Sequence, residues 1–153
     1  KAYAALGAQN TAAKDKTPMK RIPVLNFVQA GEWTGIAQDD YSEWTSVDAS
    51  YPDGTFALIV RGDSMLPMFK DGDLIVVDAS VSPRPGDYVV AKKDLDDEAT
   101  FKKYKVRGYD SSGNEIFDLV PLNPDFPTLH STDFPIRIVG VVTELHRPLR
   151  HHR

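Results

Sequence analysis

The sequence predicts a mainly β domain with little helix, and three observations lead there. From Ile22 onward, short runs rich in Val, Ile, Phe and Tyr alternate with Gly, Pro and Asp punctuation, the texture of strands and turns. Eleven prolines and ten glycines leave little room for long helices. A hydrophobic content of 41% with 26% charged residues belongs to a globular chain, and 153 residues can bury a core without a disulfide or metal staple.

Residues 1–20 (KAYAALGAQNTAAKDKTPMK) are alanine-rich and polar, with no apolar core of a signal peptide. They read as a flexible linker. Lys1 to Leu6 could also be the last turn of a helix from a preceding domain, because a chain starting at Lys1 reads as a fragment or processed product. The division is therefore a linker over 1–21 and one domain over 22–153. Strands are expected at Phe56 to Arg61, Leu74 to Asp78, Tyr88 to Lys93, Thr100 to Val106, Ile116 to Pro121 and Ile136 to Leu145. Between them lie Asp71-Gly72-Asp73, the Pro83 to Asp87 run, Ser111 to Asn114 and Asn123-Pro124-Asp125. One helical turn is expected after Asp63, around Ser64 to Phe69.

Composition excludes several functions. The longest apolar runs, Phe56 to Val60 and Leu74 to Val77, are too short to span a bilayer, so no membrane anchor is expected. The absence of cysteine removes thiolate zinc sites and cysteine nucleophiles. Eighteen Lys and Arg against 22 Asp and Glu give a net charge of -4, a poor grip for DNA phosphates.

Two segments carry chemistry. In Val60-Arg61-Gly62-Asp63-Ser64-Met65-Leu66-Pro67, a strand ends at a glycine and a serine opens the following turn. The strand fixes the serine, and the turn can aim backbone N–H groups of Asp63 and Ser64 at one point, as an oxyanion hole needs. The same pattern also suits a serine or aspartate capping a short helix. In Glu98-Ala99-Thr100-Phe101-Lys102-Lys103-Tyr104-Lys105-Val106, strand alternation puts Thr100, Lys102 and Tyr104 on one face and Phe101, Lys103 and Lys105 on the other. A buried lysine loses affinity for its proton and becomes a base near neutral pH. Alternation does not say which lysine that is, and three lysines also suit a solvated edge strand.

Together these segments resemble the serine–lysine self-cleaving domain shared by LexA, UmuD and lambdoid phage repressors. The resemblance puts Ser64 on the nucleophile, and the Ala99-Thr100-Phe101-Lys102-Lys103 motif points to Lys102 as the general base, 38 residues further on. Val24 to Trp33 is similar to the family's cleavage region, which implies a scissile bond at Ala30-Gly31. On its own that pair would read as an ordinary turn. The similarity runs over residues 22 to 146, and Val-Gln-Ala-Gly followed by an aromatic is closest to the phage-repressor branch.

The resemblance implies a twisted β-sheet fold and a Ser–Lys peptidase that cuts its own chain in the cytoplasm of a bacterial host. It further implies a homodimer, or a higher oligomer on operator DNA, which would be read only through a DNA-binding domain before Lys1. Cleavage would be stimulated by RecA filaments, or repression lifted by an antirepressor protein. Other readings are an oligomerisation domain with idle catalytic residues, a UmuD-like translesion-synthesis subunit, and a signal-peptidase-like enzyme acting in trans. No cofactor and no metal are expected. His130, His146, His151 and His152 lack ligand spacing, and the acidic tip Asp94, Asp96, Asp97 and Glu98 lacks the glycine of a calcium loop. Trp33 and Trp44 are assigned to core packing or a dimer contact.

Overall fold

The structure is a computed structural model that describes residues 17–38 and 40–149. Most of the expected linker, the Lys1 to Leu6 turn and the tail histidines His151 and His152 lie outside these residues. The described elements are β1 (Met19–Leu25), α1 (Phe27–Gly31), β2 (Trp44–Asp48), β3 (Phe56–Ile59), β4 (Leu74–Asp78), β5 (Tyr88–Lys93), β6 (Thr100–Tyr109), β7 (Glu115–Val120), β8 (Leu129–His130) and β9 (Ile136–His146). They make one nine-stranded sheet in the order β2-β1-β3-β4-β9-β5-β6-β7-β8. Every neighbouring pair is antiparallel except β1 and β3, which run parallel through Val24 opposite Ala57 and Leu25 opposite Leu58.

The mainly β expectation holds, and its physical cause is plain in β4. Ile75, Val76 and Val77 are all fully buried, so this strand is covered on both faces and its sequence is a continuous apolar run. The long β9 joins the two halves of the sheet by pairing with β4 and β5, and it shifts register on either side of its middle. Gly140 sits there because a Cβ would stand 2.6 Å from Val77 Cγ1. The main core cluster includes Phe56, Leu58, Ile75, Val77, Val90, Phe101 and Val139 with Leu25, Phe27, Ala30 and Trp33. Met65 and Phe69 join it from the turn after β3, and Phe69 meets Phe101 edge-on at 4.8 Å between ring centroids. Trp33 is a core residue, whereas Trp44 is half-buried under the Arg21 guanidinium.

The helical expectation is corrected. Residues 64–69 form a turn closed by Leu66 N–H to Asp63 C=O and Phe69 N–H to Met65 C=O, and the one helix among the described residues is α1. Its start signal is the Asn26-x-x-Gln29 capping box: Asn26 Oδ1 accepts from Gln29 N–H at 2.7 Å, and Gln29 Oε1 accepts from Asn26 N–H at 2.9 Å. In the 64–69 turn, Pro67 has no N–H to donate, so one helical bond cannot form.

Candidate active site

Ser64 is held from three directions. Beyond β3 the chain still pairs through Val60 N–H to Asp73 C=O and Gly72 N–H to Val60 C=O, both at 2.8 Å. At Gly62 the backbone turns with φ +84°, a conformation that side chains resist, and the Gly62 N–H is caught by Asp71 Oδ1 at 2.7 Å. Downstream, Met65 and Phe69 anchor the turn in the core. From the loop after β7, Asn123 N–H donates to Ser64 C=O at 3.0 Å and Asn123 Nδ2 donates to Asp63 C=O at 3.1 Å.

Lys102 arrives on β6, opposite Val89 of β5. Its Nζ lies 3.3 Å from Ser64 Oγ, 2.8 Å from Thr100 Oγ1 and 3.1 Å from the Phe101 carbonyl. All three partners are neutral, so nothing bonded to the ammonium offsets the loss of water around it. Burial pushes its pKa down to about 8. Lys103 sits at the next position of the strand, with its side chain on the opposite face. Thr100, two residues before the lysine, shares its face and supports its amine, a contact that strand alternation allows but does not announce.

Val60, Ser64, Met65, Ala99, Thr100, Phe101 and Lys102 line a cavity of about 190 Å³, and Phe27 of α1 forms part of its wall. A larger cavity of about 420 Å³ lies beside it and shares Phe27, Val60 and Arg61. Arg61 stands between the two, with its guanidinium 4.6 Å from the Phe27 ring centroid and 2.7 Å from Glu98.

The structure brings Ser64 and Lys102 together but leaves Ala30-Gly31 outside their cavity. Ala30 is fully buried in α1, where its N–H donates to Asn26 C=O and its C=O accepts from Trp33 N–H. The helix is docked at both ends: Phe27 C=O accepts from Ala99 N–H at 2.9 Å, and Gly31 C=O accepts from Arg137 at 2.5 Å. Gly31 lies so close to β5 that a Cβ would come within 3.0 Å of Lys92 Cδ and 3.2 Å of Ala99 N. Asp63 and Ser64, the two residues expected to supply oxyanion donors, turn their carbonyls toward Asn123. In a trans peptide the N–H points opposite to the C=O of the same plane. The N–H groups of Ser64 and Met65 therefore face away from Asn123. Asn123 and Arg137 carry no sequence signal for this role, since both reach the site across long stretches of chain.

The chain matches the family described as Peptidase S24-like over residues 23–143. It is 39% identical over 137 residues to the HTH-type transcriptional regulator for conjugative element R391 of Providencia rettgeri, covering 81% of this chain and 59% of the relative. It is 34% identical to repressor protein C2 of Salmonella phage P22, covering 83% and 59%. It is also 36% identical to a LexA repressor of Oleidesulfovibrio alaskensis, covering 79% and 56%. The chain thus spans a little over half the length of these curated relatives. With a family match running from within β1 to within β9 and a half-buried lysine beside a turn serine, this chain belongs to the Peptidase S24-like family.

Proposed function

We propose that this chain is the peptidase portion of a transcriptional repressor and that it cuts its own polypeptide between Ala30 and Gly31. The observation that carries the reading is a half-buried amine with only neutral partners, 3.3 Å from a serine hydroxyl. Neutral Lys102 takes the Ser64 proton as Oγ attacks the Ala30 carbonyl carbon. Backbone N–H groups of the turn at Asp63, Ser64 and Met65 stabilise the oxyanion. The intermediate collapses by breaking the Ala30–Gly31 bond, and the lysine ammonium hands its proton to the leaving amine of Gly31. Water, deprotonated by Lys102, then releases the carboxylate of Ala30 and restores Ser64.

The bond must first leave its helix. With the Ala30 carbonyl bonded to Trp33 N–H and the alanine fully buried, this bond cannot meet Ser64 Oγ. Unwinding α1 frees this carbonyl and withdraws Phe27 from the cavity wall. Cleavage of the isolated chain is therefore slow, and a partner that favours the unwound segment, RecA filament or otherwise, accelerates it. In the whole protein the cut separates DNA-reading modules from the domain that pairs them as a dimer. Loss of tethering weakens operator binding by a factor of about 10² to 10⁴.

Incubation at pH 7 to 10 followed by mass spectrometry tests the reading. Two fragments meeting at Ala30 and Gly31 are expected, and Ser64→Ala or Lys102→Ala abolishes them while the fold persists. An intact parent chain at every pH, with and without RecA, single-stranded DNA and nucleotide, rejects the self-cleavage. The docked helix favours one second reading, an oligomerisation domain with idle catalytic residues that an antirepressor controls. That reading predicts this intact outcome together with binding of the antirepressor.

A further inference from the structure

We propose that Asn123 is a positioning residue for the nucleophile, setting the peptide planes on both sides of Ser64; the inference rests on the serine-peptidase reading above. Asn123 lies 60 residues from Asp63 in sequence, yet its Nδ2 and its backbone N–H bond the two successive carbonyls of Asp63 and Ser64. Its remaining polar groups are used within its own turn. Oδ1 accepts from Asp125 N–H at 3.0 Å, and the Asn123 C=O accepts from Phe126 N–H at 3.1 Å. The amide orientation follows from this pattern, because a carbonyl requires a donor and an N–H requires an acceptor. The residue is a rigid bracket, and only a side chain with one donor and one acceptor at this reach completes it.

The consequence falls on the other edge of each plane. With both carbonyls drawn to Asn123, the N–H groups of Ser64 and Met65 point the opposite way together. Among the described residues, neither N–H has a hydrogen-bond acceptor. Met65 is only 1% exposed, so its N–H is also largely shut off from water. A donor left unpaired and shielded from water, as at Met65, is costly in a resting fold and useful where negative charge develops. Asn123 keeps the two N–H groups parallel without touching the reacting atoms. An aspartate at this position would present a carboxylate oxygen to the Asp63 carbonyl, and an alanine would leave that carbonyl held by Leu66 N–H alone.

The test uses the full chain as enzyme and the Ser64→Ala chain as substrate in trans, comparing the parent with Asn123→Ala, Asn123→Asp and Asn123→Ser. Serine keeps the turn chemistry and the backbone N–H bond, and it serves if the other two fold poorly. The expected result is a kcat lower by about 10- to 100-fold, with KM within about twofold and the alkaline midpoint of the rate unchanged. Labelling of Ser64 by a fluorophosphonate, normalised to folded protein, falls in parallel. Variants that keep the parental kcat and labelling overturn the proposal. So does a rate loss expressed only in KM or only in the unfolded fraction, which marks a purely structural role. A parent that neither cuts nor takes the label removes the peptidase reading itself, and that outcome is visible without any Asn123 variant.

Discussion

Lys102 concentrates the chemistry of the site in one titration. At an ordinary lysine pKa near 10.4, about one amine in 2,500 is neutral at pH 7, whereas at about 8 roughly one in eleven is. The self-cleavage rate should therefore rise about tenfold per pH unit below the midpoint and level off above it. A time course from pH 6 to 10 checks this, and a rate still climbing tenfold per unit at pH 10 would mean that the base has an ordinary pKa. The same burial costs stability. Because the folded pKa is depressed, the folded chain binds fewer protons than the unfolded chain between about pH 8 and pH 10.5. The penalty is full below about 8 and fades as pH rises toward the unfolded value. Lys102→Met removes the amine but keeps the stem, so it should stabilise the fold by about 1–3 kcal/mol at pH 7, less the loss of the Thr100 and Phe101 contacts. Urea titrations at pH 7 and pH 10 should show this gain shrinking at the higher pH.

At the scale of elements, the proposed self-cleavage makes α1 the piece that decides when Ser64 meets the Ala30–Gly31 bond. Five residues cannot hold a helix by propensity alone, so α1 depends on its capping box and on docking to Ala99 and Arg137. Removing the Asn26 side chain costs about 1 kcal/mol of helix stability, or about fivefold in the population of the unwound segment. Asn26→Ala should thus raise the self-cleavage rate by about fivefold at fixed pH. Asn26→Ser, which keeps a capping oxygen, should leave it near parental. Gel densitometry over hours resolves the difference, and an unchanged rate in Asn26→Ala would show that cutting does not pass through an unwound α1. The cap is legible in the sequence as Asn-x-x-Gln, but Pro23 just before it and the cleavage-motif resemblance direct attention to a turn. β1 and β2 escape pattern reading for a related reason. Only Ile22, Pro23 and Leu25 of β1 and Val47 of β2 are buried, so neither strand shows clean alternation.

Over the whole molecule, legibility follows how much of a residue's environment is local. β4 and β5 occupy the residues their apolar runs predict, Leu74–Asp78 and Tyr88–Lys93. β6 and β9 outrun their expected ends because partner strands continue beside them. The meeting of Ser64 with Lys102 is readable only through family resemblance, and the contributions of Asn123, Arg137 and Arg147 are not readable at all. Arg147 shows why. It follows β9, yet its guanidinium clasps the buried carboxylate of Asp73 through Nε at 2.7 Å and Nη2 at 2.5 Å, and also donates to the Met68 carbonyl at 2.8 Å. A residue beyond β9 thereby holds the turn that carries Ser64. Arg147 bonding keeps the Asp73 carboxyl below its usual pKa, with Lys70 N–H adding to the effect. A depressed carboxylate contributes stability above the unfolded pKa of 3.8 and loses it as pH falls through the folded value. Arg147→Met should leave Asp73 buried and unpaired, lowering the thermal midpoint at pH 7 by about 5–10 °C. The deficit should narrow as pH falls toward about 4 and below, because the variant's stranded carboxyl takes up a proton while the parent's paired carboxyl still holds its charge. Asp73→Asn in the same chain should recover much of the loss at pH 7, because the stranded charge is gone. Calorimetry of the parent, the single variant and the double variant at pH 7 and pH 3.5 decides it, and equal midpoints of parent and Arg147→Met at pH 7 would mean that the clasp holds nothing.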